Sequence, residues 1–277
     1  MRALRPSAAL VLVAALAACA QLESVARSAF QRPTLSFQSA SLRSLDLEGA
    51  TVAFEYRVDN PNGFGLDLAT LGYRLDLEGR RVVDGSMDSG LRIPASGSAP
   101  LSFPVHVRFA DVPGFVDLVK ARDAVKYRLA GTAGLRTPVG VVDLPLAHEG
   151  SIPLPDLPDF ALDGISIRSA SFTDVVLDVK LRVRNGNAFA LPRGALSYGL
   201  SVAGAAVASA DGKDLAPVAA RSSAVLAIPV RVSLAGAGQA VTRLVQGEAV
   251  DVALTGNARF AGVGVPLDLR ARLRASR

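Results

Sequence analysis

The stretch VDNPNGF occupies residues 58–64, and VRNGNAF occupies residues 183–189. Residue 183 lies 125 positions after residue 58, and both stretches keep an Asn-x-Asn-x-Phe skeleton. The residues before each turn alternate. Val52, Phe54, Tyr56 and Val58 alternate with Ala53, Glu55, Arg57 and Asp59, and Leu177, Val179, Leu181 and Val183 alternate with Asp178, Lys180, Arg182 and Arg184. A period of two places one set on a buried face and the other on a wet face, which predicts two strands, each running into the same turn.

The offset of 125 persists downstream. LGYRLDLEG (71–79) matches LSYGLSVAG (196–204), with Tyr73 and Tyr198 in register. LSFPVHVRF (101–109) matches LAIPVRVSL (226–234), with Pro104 and Pro229 at equivalent outward positions, and YRLAGTA (127–133) matches VALTGNA (252–258). A proline inside a strand cannot donate to the ladder, so these two strands are expected at sheet edges or with the missing donor facing outward. Beyond Gly131 and Gly256 an insertion or deletion breaks the correspondence. One fixed offset through so many alternating segments marks an internal duplication.

One segment per copy departs from alternation. In DVPGFVDLVKARD (111–123), Asp111 is placed to cap, Pro113 suits a first turn, and Val112, Phe115, Val116 and Val119 form a helical stripe. Its counterpart AGAGQAVTRLVQGE (235–248) carries Val241, Leu244 and Val245. One short helix is expected in each copy. Pro153, Pro155 and Pro158 lie between the copies and predict a stiff, extended linker at 153–159. Strand following strand without intervening helices argues against a parallel α/β fold. It predicts two tandem antiparallel β-sandwiches, each large enough for its own core.

Half of the 277 residues are hydrophobic, which excludes a disordered, solvating chain. Tryptophan is absent and aromatic residues make up 5%, so Val, Leu, Ala and Ile must supply most of the core. The only cysteine, Cys19, can build neither a disulfide framework nor a thiolate metal site. Arg2 and Arg5 precede a short apolar run, LVLVAAL (10–16), and then Leu16-Ala17-Ala18-Cys19. The run is too short to span a bilayer and has the form of a signal peptide. Leu-Ala-Ala-Cys resembles the lipobox of bacterial lipoproteins, which implies cleavage after residue 18 and acylation of Cys19; an ordinary secretory signal with a chance cysteine is the competing reading. Cleavage leaves 28 basic against 25 acidic residues, a charge of +3 interspersed along the chain, which argues against a nucleic-acid partner. Ala20, where enterobacterial lipoproteins retained at the inner membrane carry Asp, directs the expectation to the outer membrane, facing the periplasm.

The turn itself has a local explanation. Pro61 fixes its own φ and holds Asn60 extended, while Asn60 and Asn62 can bond neighbouring backbone as Asx turns do. Gly186 replaces Pro61 in the second copy and permits the same turn between Asn185 and Asn187. Phe64 and Phe189 are expected to tuck beneath the sheet. The alternative is that exposed amides of the turn bind a ligand.

VAFEYRVDNPNGFGL followed by LGYRLDLEG is similar to the late embryogenesis abundant type-2 family, also called the WHy (water stress and hypersensitive response) domain. Asn60-Pro61-Asn62 matches that family's Asn-Pro-Asn hallmark fully, and Asn185-Gly186-Asn187 departs from it at the proline. The resemblance implies fibronectin type III-like sandwiches, here at 33–152 and 160–277. A signal peptide (1–18) and a lipidated tether (19–32) precede them. It implies a role in stress tolerance, protecting proteins or membranes during water loss, and no active site to carry over.

No catalytic or metal constellation competes with that reading. His106 faces outward, with Arg231 in its place in the second copy; His148 stands beside Glu149 near a strand end, and neither has ligand-spaced partners. A Gly-x-Ser-x-Gly elbow is absent, a lone Gly236-Ala237-Gly238 is too weak for a phosphate loop, and Asp156 and Asp159 read as solvated linker carboxylates. Lys180, Arg182 and Arg184 share one outward strand face and could meet lipid headgroups or an acidic partner, or be ordinary solvated charge. The expectation is a non-enzymatic envelope protein without cofactors, held to the membrane through Cys19, with client proteins or lipids as its contacts and its oligomeric state open. A periplasmic binding module for a lipid or other apolar ligand, and a structural adaptor of an envelope complex, are the alternatives. Acylation at Cys19 predicts that Cys19→Ala moves the protein from the membrane fraction to the soluble fraction of fractionated cells; unchanged membrane retention contradicts it.

Overall fold

The computed structural model describes residues 30–88, 90–233, 243–244 and 246–276. The signal segment and Cys19 therefore lie outside the described residues. Packing divides the chain into two compact units. Of the described residues, one takes those up to Ser41 with those of Val52–Val105 and Lys126–Gly150; the other takes Leu42–Thr51, His106–Val125 and those from Ser151 onward.

Among the described residues, sixteen strands carry the fold. The first repeat contributes β1 (Thr34–Leu45), β2 (Gly49–Asn60), β3 (Leu66–Leu77), β4 (Arg80–Met87), β5 (Arg92–Ile93), β6 (Gly97–Arg108), β7 (Ala124–Thr137) and β8 (Gly140–Pro153). The second contributes β9 (Asp159–Ala170), β10 (Asp174–Arg184), β11 (Gly194–Val202), β12 (Ala205–Leu215), β13 (Ser223–Ser233), β14 (Val250–Phe260), β15 (Val263–Leu273) and β16 (Ala275–Ser276). The first repeat forms a sheet ordered β1-β2-β6 and another ordered β4-β3-β7-β8, with β5 added to β3; the second forms β13-β10-β9-β16 and β12-β11-β14-β15. The ladders are antiparallel except where β16 runs parallel beside β9. Each repeat is thus a two-sheet sandwich. β6 and β13 are edge strands, where Pro104 and Pro229 cost no internal ladder bond.

Alternation produces the expected faces. Val52, Phe54, Tyr56 and Val58 are buried, as are Leu177, Val179, Leu181 and Val183, and Leu101, Phe103, Val105, Val107 and Phe109. Burial of each such side chain contributes about 1.5–3 kcal/mol, and this drives the two sheets together. In the first repeat the sheets meet through aromatic rings. Phe54 on β2 meets Tyr127 on β7 at 5.6 Å, Tyr73 on β3 meets Phe103 on β6 at 5.3 Å, and Phe37 on β1 stacks on His148 of β8 at 3.7 Å. In the second repeat one aliphatic cluster joins both sheets, drawing Val179 and Leu181 from β10, Leu200 from β11, Ile228 and Val230 from β13, and Val252 and Leu254 from β14.

Two backbone features repeat at the 125 offset. The two-residue hairpin loop Glu78-Gly79 has φ of 47° and 78°, and its twin Ala203-Gly204 has 47° and 83°, the left-handed pair that matches strand twist. Gly131 and Gly256 pair with Tyr73 and Tyr198. A Cβ there would stand 2.3 Å from the Gly72 carbonyl oxygen and 2.1 Å from that of Ser197, so both sheets require glycine. The break in correspondence falls at the next hairpin. β14 ends at Phe260, the twin of residue 135, whereas β7 runs on to Thr137 before turning.

The first helix differs from the expectation. Phe109–Asp111 forms a 3-10 turn, and the helix α1 spans Phe115–Ala121. Its N-cap is Gly114, in left-handed geometry at φ 72°, with no side-chain capping bond. Asp111 does not cap; it pairs with Arg108 at 2.7 Å. The reason is packing: Phe109 ends the inward face of β6 and stacks on Phe115 at 4.3 Å, which demands a tight reversal. In the second repeat Arg243 and Leu244 are helical and residues 246–247 form a turn; the other residues of the expected segment 235–248, namely 235–242 and 245, lie outside the described residues.

His148 also differs from its expected place. It lies within β8, half-buried against Phe37, with Phe54 at 6.3 Å and Tyr127 at 5.9 Å. Buried Leu144 and Leu146 correspond to Val265 and Leu267 on β15, and the next inward position is His148 in one repeat and Leu269 in the other. Burial holds the imidazole below its usual pKa, against an opposing pull from Glu149. The unfolded chain therefore binds the proton more readily. Stability is full above the unfolded value of about 6.5 and falls as pH drops through it. Thermal melts between pH 8 and pH 5 should show a smaller acid-side loss in His148→Leu than in the unaltered chain; equal losses contradict this.

Candidate functional site

The Asn-x-Asn turns are where polar groups enter the interior. Among the described residues, the buried polar side chains are Asn60, Asn62, Thr137, Asn185 and Asn187. Buried amides must find partners or cost about 1–3 kcal/mol each, so their bonding decides their role.

Asn60 ends β2. Its Oδ1 accepts from the Asn62 backbone N–H at 3.1 Å and from Asn62 Nδ2 at 3.0 Å. Its Nδ2 donates to the carbonyls of Phe64 at 2.7 Å and Pro94 at 2.9 Å. Asn62 Nδ2 also donates to the Gln31 carbonyl at 2.7 Å, and Asn62 Oδ1 accepts from the Gln31 N–H at 2.9 Å. The Asn62 carbonyl accepts from the Ser96 N–H at 2.8 Å. Three distant segments are thus tied at one point: the chain entering β1, the turn between β2 and β3, and the approach to β6.

The second repeat reproduces the arrangement at the same offset. Asn185 Oδ1 accepts from the Asn187 N–H at 3.0 Å and Nδ2 at 3.1 Å, and Asn185 Nδ2 donates to Phe189 at 2.7 Å and Ala219 at 3.0 Å. Asn187 exchanges two bonds with the backbone of Asp156, at 2.8 and 2.9 Å, and its carbonyl accepts from Arg221 at 3.0 Å. Gln31, Pro94 and Ser96 are the counterparts of Asp156, Ala219 and Arg221. Ser96 and Arg221 share positive φ, 47° and 52°. Gly186 replaces Pro61 without altering this network. The expectation of local Asx bonding holds, since Asn60 and Asn185 each accept from the N–H two residues on. The alternative of exposed amides does not, because all four are buried and their donors are spent inside the protein. Phe64 and Phe189 are half-buried; Phe64 stacks on Phe30 at 6.5 Å, and Phe189 packs against the second core.

The segments expected as tether and linker are bonded before their neighbouring strands begin. Arg32 donates to the Asp143 carbonyl at 2.9 Å, besides the two bonds of Gln31. Leu154 donates to the Asp123 carbonyl at 2.8 Å, and Pro155 and Pro158 are buried. Asp156 and Asp159 are exposed, and the Asp156 backbone, not its carboxylate, does the structural work.

The outward strand faces carry mixed charge. Arg182 bonds to Asp163, and Arg168 pairs with Asp178 at 2.8 Å, so acidic partners interrupt the expected basic stripe of Lys180, Arg182 and Arg184. His106 is exposed and bonds Thr51 Oγ1 at 3.0 Å, and Arg231 is exposed. Among the described residues, no three His, Cys, Asp or Glu side chains converge as a metal site, and no helix is long and apolar enough to cross a membrane. Surface grooves of about 730 and 410 Å³ lie on the first unit. One is lined by Tyr73, Arg74 and Asp84, the other by Glu55, Arg57 and Ser98.

Truncating Asn60 strands the Phe64 and Pro94 carbonyls and both donors of Asn62 that meet its Oδ1. Asn60→Ala should cost about 3 kcal/mol in denaturant unfolding of the full chain. Asn60→Asp keeps the acceptor but loses both donated bonds, and should also destabilise. Unchanged midpoints for both variants contradict a structural clamp.

Comparison with known proteins follows the repeat. Two stretches, residues 55–150 and 180–274, match the model of the late embryogenesis abundant protein family LEA_2. They run from within β2 to β8 and from within β10 to β15. No curated protein matches the chain. Among solved structures, a protein from Archaeoglobus fulgidus is 16% identical, covering 44% of this chain and all of its own, with a TM-score of 0.37. A candidate late embryogenesis abundant protein is 20% identical over 55% of this chain and 88% of its own, with a TM-score of 0.39. An Arabidopsis thaliana protein is 21% identical over 47% and 86%, also at 0.39. With both of its sandwiches matched by the same family model, the chain belongs to the late embryogenesis abundant LEA_2 family.

Proposed function

We propose that this is a non-enzymatic, lipid-anchored protein of the bacterial cell envelope that protects proteins or membranes during desiccation or related stress. It would be held through Cys19 at the periplasmic face of the outer membrane. The observation that carries the reading is the family match over both repeats, since LEA_2 membership points to a stress-related protein.

The chemistry of the surface supports contact with many partners over a single dedicated ligand. The motif amides are consumed internally, so the turn offers little to a ligand. What remains is the outward sheet faces, where Arg57–Asp59, Arg92–Asp67, Arg168–Asp178 and Arg270–Asp268 form local ion pairs. Exposed pairs of this kind contribute little stability. They present closely spaced opposite charges with a weak net field, which suits hydrogen bonding to a drying protein surface or a zwitterionic headgroup. The alternative of an apolar-ligand carrier draws no support from the grooves on the first unit, which are charged and open to the surface.

Drying tests the proposal. A desiccation-sensitive enzyme dried with the purified protein at equal mass, then rehydrated, should keep most of its activity, and dye-loaded vesicles dried in the same way should leak less. Recovery no better than with an unrelated β-sandwich protein of similar charge overturns the proposal.

A further inference from the structure

The tip of the β7–β8 hairpin departs from its duplicate. Phe260 corresponds to Leu135 and Val263 to Val142, so residues 136–141 stand where the second repeat has only Ala261 and Gly262. The second repeat closes this hairpin tightly, with Phe260 and Val263 both buried. The first repeat carries its strands further. Residues 137–142 read TPVGVV, an uncharged run between Arg136 and Asp143. Thr137 Oγ1 donates to the Gly140 carbonyl at 2.7 Å and accepts from the Val139 N–H at 3.2 Å, which closes the turn. Val139 is 37% exposed and Val141 62%; among the described residues of the first unit, these are the large apolar side chains left exposed.

The tip lies at the end of the first sandwich where the chain enters. β3 begins at that end, with Asp67 paired to Arg136, and β2 finishes there at Asn60. Gln31 is bonded twice to Asn62 in the turn between them, and Arg32 donates to the carbonyl of Asp143, just behind the tip. Phe30 is eleven positions after Cys19. An extended chain spans at most about 3.6 Å per residue, so acyl chains on Cys19 would hold this end within about 40 Å of the bilayer. Arg32 and Arg136 are exposed at the base of the tip, where a guanidinium suits lipid phosphate. Single exposed apolar residues are ordinary on protein surfaces. Two on one uncharged tip, beside the entry of a tethered chain and absent from the duplicate hairpin, are a built feature.

We propose that residues 137–141 are a membrane-docking tip, which places Val139 and Val141 in the headgroup boundary of a lipid bilayer. The proposal rests on the anchored reading and deepens it, since it names the end of the first sandwich that meets the membrane. The occupant is a bilayer because the entering chain that leads back to Cys19 is bonded at this end, beside the tip. The duplicate hairpin, in a repeat that follows the linker and not the anchor, lacks the extension. Two valines cannot hold a free protein on a membrane, where even one acyl chain binds only marginally. On a tethered protein they act at the effective concentration the tether sets, and a weak contact is then enough to orient it.

The chain has no tryptophan, so one introduced at the tip reports alone. The test is fluorescence of the full-length lipidated protein in vesicles of phosphatidylethanolamine and phosphatidylglycerol. Emission of Val141→Trp should shift to shorter wavelength and lose most of its intensity when the acyl chains are brominated. Arg80→Trp, at the opposite end of the sandwich where β4 begins, should do neither. Adding Val139→Asp to Val141→Trp should restore most of the emission. These are exposed positions, so the variants should melt like the unaltered protein. Bromine quenching at both ends or at neither, quenching unaffected by Val139→Asp, or a wavelength shift without quenching, as a second copy covering the tip would give, overturns the proposal. Repeating the measurement on residues 20–277, held to nickel-chelating lipid by an N-terminal histidine tag, separates the tip from the anchor. Quenching there while the full-length protein fails to join vesicles contradicts the anchor and keeps the tip; no quenching there overturns the tip.

Discussion

A pair of buried asparagines holds each half of this molecule together. An amide brings two donors and two acceptor sites into the interior, and leaving any of them unmade is more costly than a typical hydrogen bond is favourable. Asn60 with Asn62, and Asn185 with Asn187, resolve this by bonding each other and then the backbone of three segments far apart in sequence. The sheets contribute the hydrophobic energy, but that term is non-directional. The amide pairs supply direction: they fix where the chain enters β1 or β9, how it leaves β2 or β10, and how it approaches β6 or β13. Replacement of Pro61 by Gly186 leaves the geometry intact, which places the information in the asparagines and not in the residue between them.

The repeats keep that frame and exchange what fills it. Phe54, Tyr56, Phe103 and Tyr127 face one another in the first repeat, where Val179, Leu181, Ile228 and Val252 stand in the second. The aromatic version carries a consequence the aliphatic one lacks. Burial pushes the Tyr56 hydroxyl up to about 12, with Tyr127 adding to the shift, and among the described residues that hydroxyl has no hydrogen-bond partner. A polar atom is thus buried in the first core. Both cores satisfy the same backbone because packing volume, not side-chain chemistry, is what the sheets require.

Much of this is legible before any coordinates. Alternation identifies the principal strands and their inward faces, the constant offset pairs them, and prolines 104 and 229 point to edges. Local chemistry reaches as far as the Asx bond within each turn. It stops there because Gln31 and Pro94 lie 31 and 34 residues from their amide partners, and nothing in composition announces a bond to a backbone carbonyl. The helix start is misread for a related reason: Asp111 has the chemistry of a cap, but the stacking of Phe109 on Phe115 sets where the chain turns. His148 has the polarity of a surface residue, and only Phe37, more than a hundred residues away, shows that it faces inward.

The stress protection and anchoring we propose would rest on this frame, with the sandwiches presenting their polar faces to drying surfaces. The claim that the amide pairs hold each sandwich is tested most directly by native-state hydrogen exchange of six backbone N–H groups, those of Gln31, Asn62, Ser96, Asp156, Asn187 and Arg221. All six lie in turns or irregular segments, where exchange is ordinarily fast. If the pairs clamp the fold, these amides exchange as slowly as those of the central strands β2 and β10. If they exchange at the rate of exposed loops while the strands stay protected, the clamps are incidental and the sandwiches are held by their cores alone.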